Sequence, residues 1–148
     1  MICIGLGATA QFHTMKMPQT SPKVVETQRL GITDITIDYS TPATRGRDIW
    51  NTVIDSYGDP NLAWRAGANL NTRIIFSTDV TINGNPLKAG GYGFHIDVDG
   101  DNYTLMFAHH DNQWGSYYLD KEKHVALKLT EQAEPCPPCC SCWSSVWS

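Results

Sequence analysis

The chain has 148 residues, of which 41% are apolar and 18% charged, with a formal net charge of −4. That is the length of one domain with enough apolar material for a core, which excludes wholesale disorder. The 11 Lys and Arg are scattered without a basic run and no apolar stretch is long enough to cross a bilayer, so nucleic acid, an anionic membrane surface and a membrane span are excluded as the main business of the chain.

Residues 1–10 close an apolar run in Ala8-Thr9-Ala10, a small-x-small signature, and read as the remnant of a secretory signal peptide. The expected location is therefore periplasmic or secreted. Residues 11–22 are polar, carry Pro18 and Pro22, and read as a linker. Residues 23–131 read as a single β domain. Val25, Thr27 and Arg29 suit a first strand, with Leu30-Gly31 turning the chain. Ile35, Ile37 and Tyr39 then alternate with polar residues, which puts them on one face of a second strand.

One helical turn is expected near residues 46–56, where Ile49, Trp50, Val53 and Ile54 fall at helical spacing. Arg73 to Ser77 is a short run of β-formers. Val80-Thr81-Ile82 runs into Asn83-Gly84, a strong hairpin signal because both turn residues tolerate positive φ. Tyr92, Phe94, Ile96 and Val98 alternate, as do Tyr103, Leu105 and Phe107. Joining them through Asp99-Gly100-Asp101-Asn102 sets Val98 opposite Tyr103, Ile96 opposite Leu105 and Phe94 opposite Phe107. All the large apolar side chains of that hairpin then share a face. Gln113 to Leu119 and His124 to Thr130 give two further strands, the second with Val125, Leu127 and Leu129 inward. The fold class is all-β, an antiparallel β-sandwich or open barrel of about seven to eight short strands.

Residues 132–148 form a Cys-, Pro-, Ser- and Trp-rich tail with no strand or helix period, and are expected to be irregular. Cys136-x-x-Cys139 has a spacing that soft metals use, but no second pair or suitably spaced His accompanies it. A truncated or frame-shifted end is the preferred reading. The stretch from Phe12 to Pro135 has no cysteine, so the domain relies on its core rather than on disulfides.

Five strings occur in order: Tyr39-Ser40-Thr41-Pro42 with Arg45-Gly46-Arg47-Asp48-Ile49-Trp50; Trp64-Arg65-Ala66-Gly67-Ala68-Asn69; Ile82-Asn83-Gly84; Leu87-Lys88-Ala89-Gly90-Gly91-Tyr92-Gly93; and Asn112-Gln113-Trp114-Gly115-Ser116-Tyr117. Together they resemble the bacterial domain-of-unknown-function 2911 family, over about Ser21 to Thr130. The resemblance implies an exported β domain and supplies no activity. It departs from the family pattern at Gly91, where a Thr is usual, and at the tail, where family members continue into further strands.

The best candidate site is Trp64-Arg65-Ala66-Gly67-Ala68-Asn69, with Arg65 as an anion-binding fork beside the Trp64 platform and the Asn69 amide. Arg45 and Arg47 add charge to the same patch, and Trp114 offers an indole face for a sugar ring. The alternative for each is structural: Arg65 bonding loop carbonyls, Trp64 and Trp114 filling core, and Arg45 and Arg47 on a solvated loop. The acidic turn from Asp97 lacks Gly and Glu at the places a calcium loop needs them. His95, His109 and His110 share a hairpin without a common face, so no metal site is expected. No nucleophile-elbow, metalloprotease, phosphate-loop or dinucleotide fingerprint occurs, and no cofactor is expected. The expectation is an exported domain, leaning non-catalytic, that binds a small polar or anionic ligand such as a glycan or peptide. The alternatives are a hydrolase-like enzyme using His109, His110 or Asp111, and a purely structural or interaction module.

Overall fold

The computed structural model describes residues 18–49 and 63–132. They form eight strands: β1 (Lys23–Leu30), β2 (Thr33–Ser40), β3 (Thr72–Phe76), β4 (Val80–Ile82), β5 (Asn85–Leu87), β6 (Gly90–Asp99), β7 (Asn102–Ala108) and β8 (Val125–Gln132). Six make one open antiparallel sheet in the order β1-β2-β3-β6-β7-β8, and β4 pairs only with β5. The molecule is thus all-β among the described residues. The segment expected to be a signal remnant, most of the expected linker, most of the expected helical turn near 46–56 and all but the first residue of the tail lie outside them.

Local chemistry explains most of the turns. Gly31 takes φ 62° between β1 and β2, a conformation that costs glycine little. Asn83 and Gly84 take φ 48° and 80° between β4 and β5, the paired positive values of the favoured two-residue hairpin turn. The β6–β7 pairing is the one that alternation predicts: Phe94 opposite Phe107, Ile96 opposite Leu105 and Val98 opposite Tyr103. It continues to Asp99 opposite Asn102, so the connecting loop is shorter than the sequence suggested.

The apolar face of the sheet carries the core. Phe76, Tyr92, Phe107 and Leu129 are buried with Leu87 of the β4–β5 hairpin, and Ile35, Ile74, Val80, Ile82, Phe94, Leu105 and Leu127 pack against them. The small hairpin therefore covers the middle of the larger sheet as a partial second layer. Phe107 stacks at 5.4 Å on Phe94 and 6.4 Å on Phe76, tilted arrangements that suit the ring quadrupoles. Leu127 and Leu129 point inward as expected. Val125 does not join the cluster, because a register irregularity at Phe107/Ala108 sets it opposite Ala108.

Gln113 to Leu119 is a correction: it is not a strand. Trp114 makes one isolated bridge to Leu70, and Gly115 turns away at φ 68°. Residues 109–124 instead form a strap over the polar face of the sheet. The strap meets β6 at alternate residues: Asp111 lies over Gly91, His110 over Gly93, Ser116 bonds His95 and Lys121 pairs with Asp97 at 2.6 Å. Asn71 pins the strap, since its backbone N–H donates to the Gln113 carbonyl at 2.9 Å and its side-chain Oδ1 accepts from the Gln113 N–H at 2.8 Å.

Candidate functional site

Arg65 leads the loop that precedes β3. Ala66 and Asn69 hold positive φ in that loop, at 52° and 62°. Arg65 Nε donates to the Gly67 carbonyl at 3.2 Å and Nη1 donates to the Asn69 carbonyl at 3.0 Å. Thr72 closes the loop by donating its N–H to the Arg65 carbonyl and its hydroxyl to the Ala66 carbonyl. The guanidinium thus satisfies the carbonyls of its own strained loop. Its carbon also lies 5.9 Å from the centre of the Trp114 ring, at cation–π range.

The six residues singled out from sequence are only partly brought together. Arg65, Asn69 and Trp114 meet. Trp64 is spent differently, with backbone N–H and carbonyl bonded to Ile96 so that the loop extends the β6 edge. Arg47 donates to the Thr44 and Ala43 carbonyls on an exposed loop, and Arg45 is exposed with φ 51°. Asn69 turns its amide to the Ser21 carbonyl at 3.4 Å.

A cleft of about 660 Å³ opens beside this loop, and most of what builds it was not singled out from sequence. Lys23, Asp38, Arg73, Asp111, Asn69 and Asn112 are among its lining residues. The sheet register puts Asp38 of β2 directly opposite Arg73 of β3, a natural cross-strand ion pair. Neither takes the other. Asp38 pairs with Lys23 at 2.8 Å, and Arg73 Nε lies 2.7 Å from Asp111 Oδ2. Four charges of alternating sign therefore line the cleft.

Arg73 differs from Arg65 in one decisive respect. Its Nε is buried without an aligned hydrogen bond despite the nearby carboxylate, and its guanidinium donates no hydrogen bond to any described residue. Glycines make this arrangement possible. A Cβ at Gly91 would sit 2.6 Å from Asp111 Oδ2 and 3.2 Å from Arg73 Nε and Nη2. A Cβ at Gly93 would collide with the His110 carbonyl and the Asn71 amide. Small residues at alternate positions on one strand face are the sequence signal for such a close approach.

The rim of the cleft is apolar on one side. Leu70 lines it and is 45% exposed, and its bridge partner Trp114 is 59% exposed. Tyr117 and Tyr118, just beyond on the strap, are also exposed.

Among the described residues, His109, His110 and Asp111 each face a different neighbour. His109 packs on Tyr92 at 5.9 Å, His110 meets His124 edge-on at 4.4 Å, and Asp111 goes to Arg73. No cluster of three His, Cys, Asp or Glu with metal-binding geometry occurs among the described residues. His95 is fully buried under the strap, with Nδ1 bonded to the Ser116 hydroxyl at 2.8 Å and Nε2 without a partner. Burial pushes its pKa down to about 4, so the ring is neutral at physiological pH. It works as a structural peg between β6 and the strap.

A family model described as "Protein of unknown function (DUF2911)" matches residues 21–137. No curated protein and no solved structure matches the chain.

Proposed function

Starting from the fact that the chain belongs to the DUF2911 family of proteins of unknown function, we propose that it is a non-catalytic binding module for a small polar ligand of the glycan or peptide class. The observation that carries this reading is the cleft of about 660 Å³, lined mostly by polar and charged residues with the exposed Leu70 in its wall; Trp114, also exposed, is the bridge partner of Leu70. Its size lies in the range that small-ligand sites occupy, and a few convergent polar groups beside an aromatic platform are what such sites use for orientation. Asn112 and the cleft charges supply hydrogen bonds. Trp114, backed by Arg65, supplies a flat face on which a sugar ring stacks.

The role first assigned to Arg65 changes accordingly. With two donors given to its own loop and its face on Trp114, it supports the platform rather than gripping the ligand. The setting we propose is periplasmic or secreted, on the strength of the apolar segment ending in Ala8-Thr9-Ala10.

The test is a thermal-shift and calorimetric screen against neutral and acidic oligosaccharides and short peptides. A hit is expected to quench indole fluorescence, and Trp114→Ala should weaken it about ten-fold or more while leaving the melting temperature within a few degrees. A screen in which no probe stabilises the protein would remove the reading.

A further inference from the structure

We infer that the cleft selects a ligand bearing a carboxylate and that Arg73 is the residue that takes it, an inference that rests on the binding reading above. Three observations converge. Arg73 lines the cleft, its Nε lies 2.7 Å from Asp111 Oδ2, and its two Nη groups donate no hydrogen bond to a described residue. A guanidinium presents two-pronged edges that match a carboxylate, and Asp111 occupies only Nε, obliquely. The cations also reach further out than the acids beside them: the Lys23 and Arg73 side chains are 60% and 38% exposed, against 20% and 29% for Asp38 and Asp111. An incoming ligand therefore meets positive groups first, with the acids held in the wall behind.

The acids decide the class of anion. Lys23, Asp38, Arg73 and Asp111 sum to no net charge, so the cleft lacks the excess positive charge that a phosphate dianion calls for. A single carboxylate gains a two-pronged contact with Arg73 and leaves Asp38 its own partner, Lys23. Asp111 is then a competitor for the guanidinium, which makes an unusual prediction. Neutralising it should strengthen ligand binding, whereas a purely structural Arg73–Asp111 pair would predict weakening or no change.

The carboxylate has two plausible sources, an acidic sugar or the C-terminus of a peptide. The experiment is isothermal titration with matched pairs: a trigalacturonate against its neutral galactose counterpart, and an N-acetyl dipeptide with a free against an amidated C-terminus. In the pair of the right class, the carboxylate form should bind about ten-fold or more tightly than the neutral form. Arg73→Gln should abolish that preference, Arg73→Lys should keep part of it, and Asp111→Asn should raise carboxylate affinity several-fold. Equal binding of charged and neutral members, or a preference that survives Arg73→Gln, overturns the inference and leaves the binding reading standing. Failure of every member of both pairs to bind the wild type overturns both. Should Arg73→Gln not fold, the wild-type pairs and Asp111→Asn still decide the outcome.

Discussion

Arg65 and Arg73 flank the same short loop and stand in opposite conditions. Arg65 has spent itself: two donors go to the Gly67 and Asn69 carbonyls, and its face lies against Trp114. Arg73 touches one carboxylate off-axis and donates no hydrogen bond to a described residue. The difference follows from their places in the fold. Arg65 enters a loop whose positive-φ turns leave carbonyls in need of donors. Arg73 stands in a strand, where the backbone is already paired and the side chain is left over for other work. An arginine picked out by its sequence neighbours can thus be engaged by its own loop, while one inside a plain strand keeps its Nη groups clear of the backbone.

Four perturbations sharpen that contrast, starting with the support beneath it. The largest effect should come from titrating His95. Its folded pKa is depressed to about 4, so the unfolded chain takes up a proton first as pH falls. Stability is then full above about pH 6.5 and declines towards pH 4, by at most roughly 3 kcal/mol from this one group. Urea titrations of wild type and His95→Gln across that range should show a pH slope in the first that flattens in the second. Next, Gly93→Ala pushes a Cβ into the His110 carbonyl and the Asn71 amide, and should cost about 2 kcal/mol as the strap lifts. Because Asp111 and Asn112 ride on the same strap, ligand affinity should fall with it.

The smallest effects discriminate between the two arginines. Arg65→Ala leaves two loop carbonyls without their donors and removes the contact with Trp114, for an expected loss of about 1.5 kcal/mol. Arg73→Gln gives up only a partly exposed, misaligned ion pair, and should change stability by less than about 0.5 kcal/mol. Chemical denaturation of the two variants side by side checks the order. A larger loss at Arg73 would reverse the assignment.

Much of the fold was legible because strands write alternation into sequence. The β6–β7 register follows from placing Phe94, Ile96, Leu105 and Phe107 on one face, and Asn83-Gly84 marks the β4–β5 turn by backbone chemistry alone. Gln113 to Leu119 misled because its β-forming composition ignores Gly115, whose φ of 68° ends any extended run there. The site was less legible. Lys23, Asp38, Arg73 and Asp111 come from four separate segments, and no spacing rule joins them. Asn69 was singled out from sequence and lies in the cleft lining, while the contact of Arg65 with Trp114 rather than Trp64 depends on the strap. The overlooked signal was the pair Gly91 and Gly93, two alternate positions stripped of side chains on the face where the strap and Arg73 come close.

The most direct test is to follow the arginine Nε–Hε signals by NMR while trigalacturonate, or the free-carboxylate dipeptide if that pair proves the right class, is titrated in. The account predicts that the Arg73 signal shifts saturably and that the Arg65 signal, held by the Gly67 carbonyl, stays in place. Movement confined to Arg65, with Arg73 silent at saturating ligand, would contradict it.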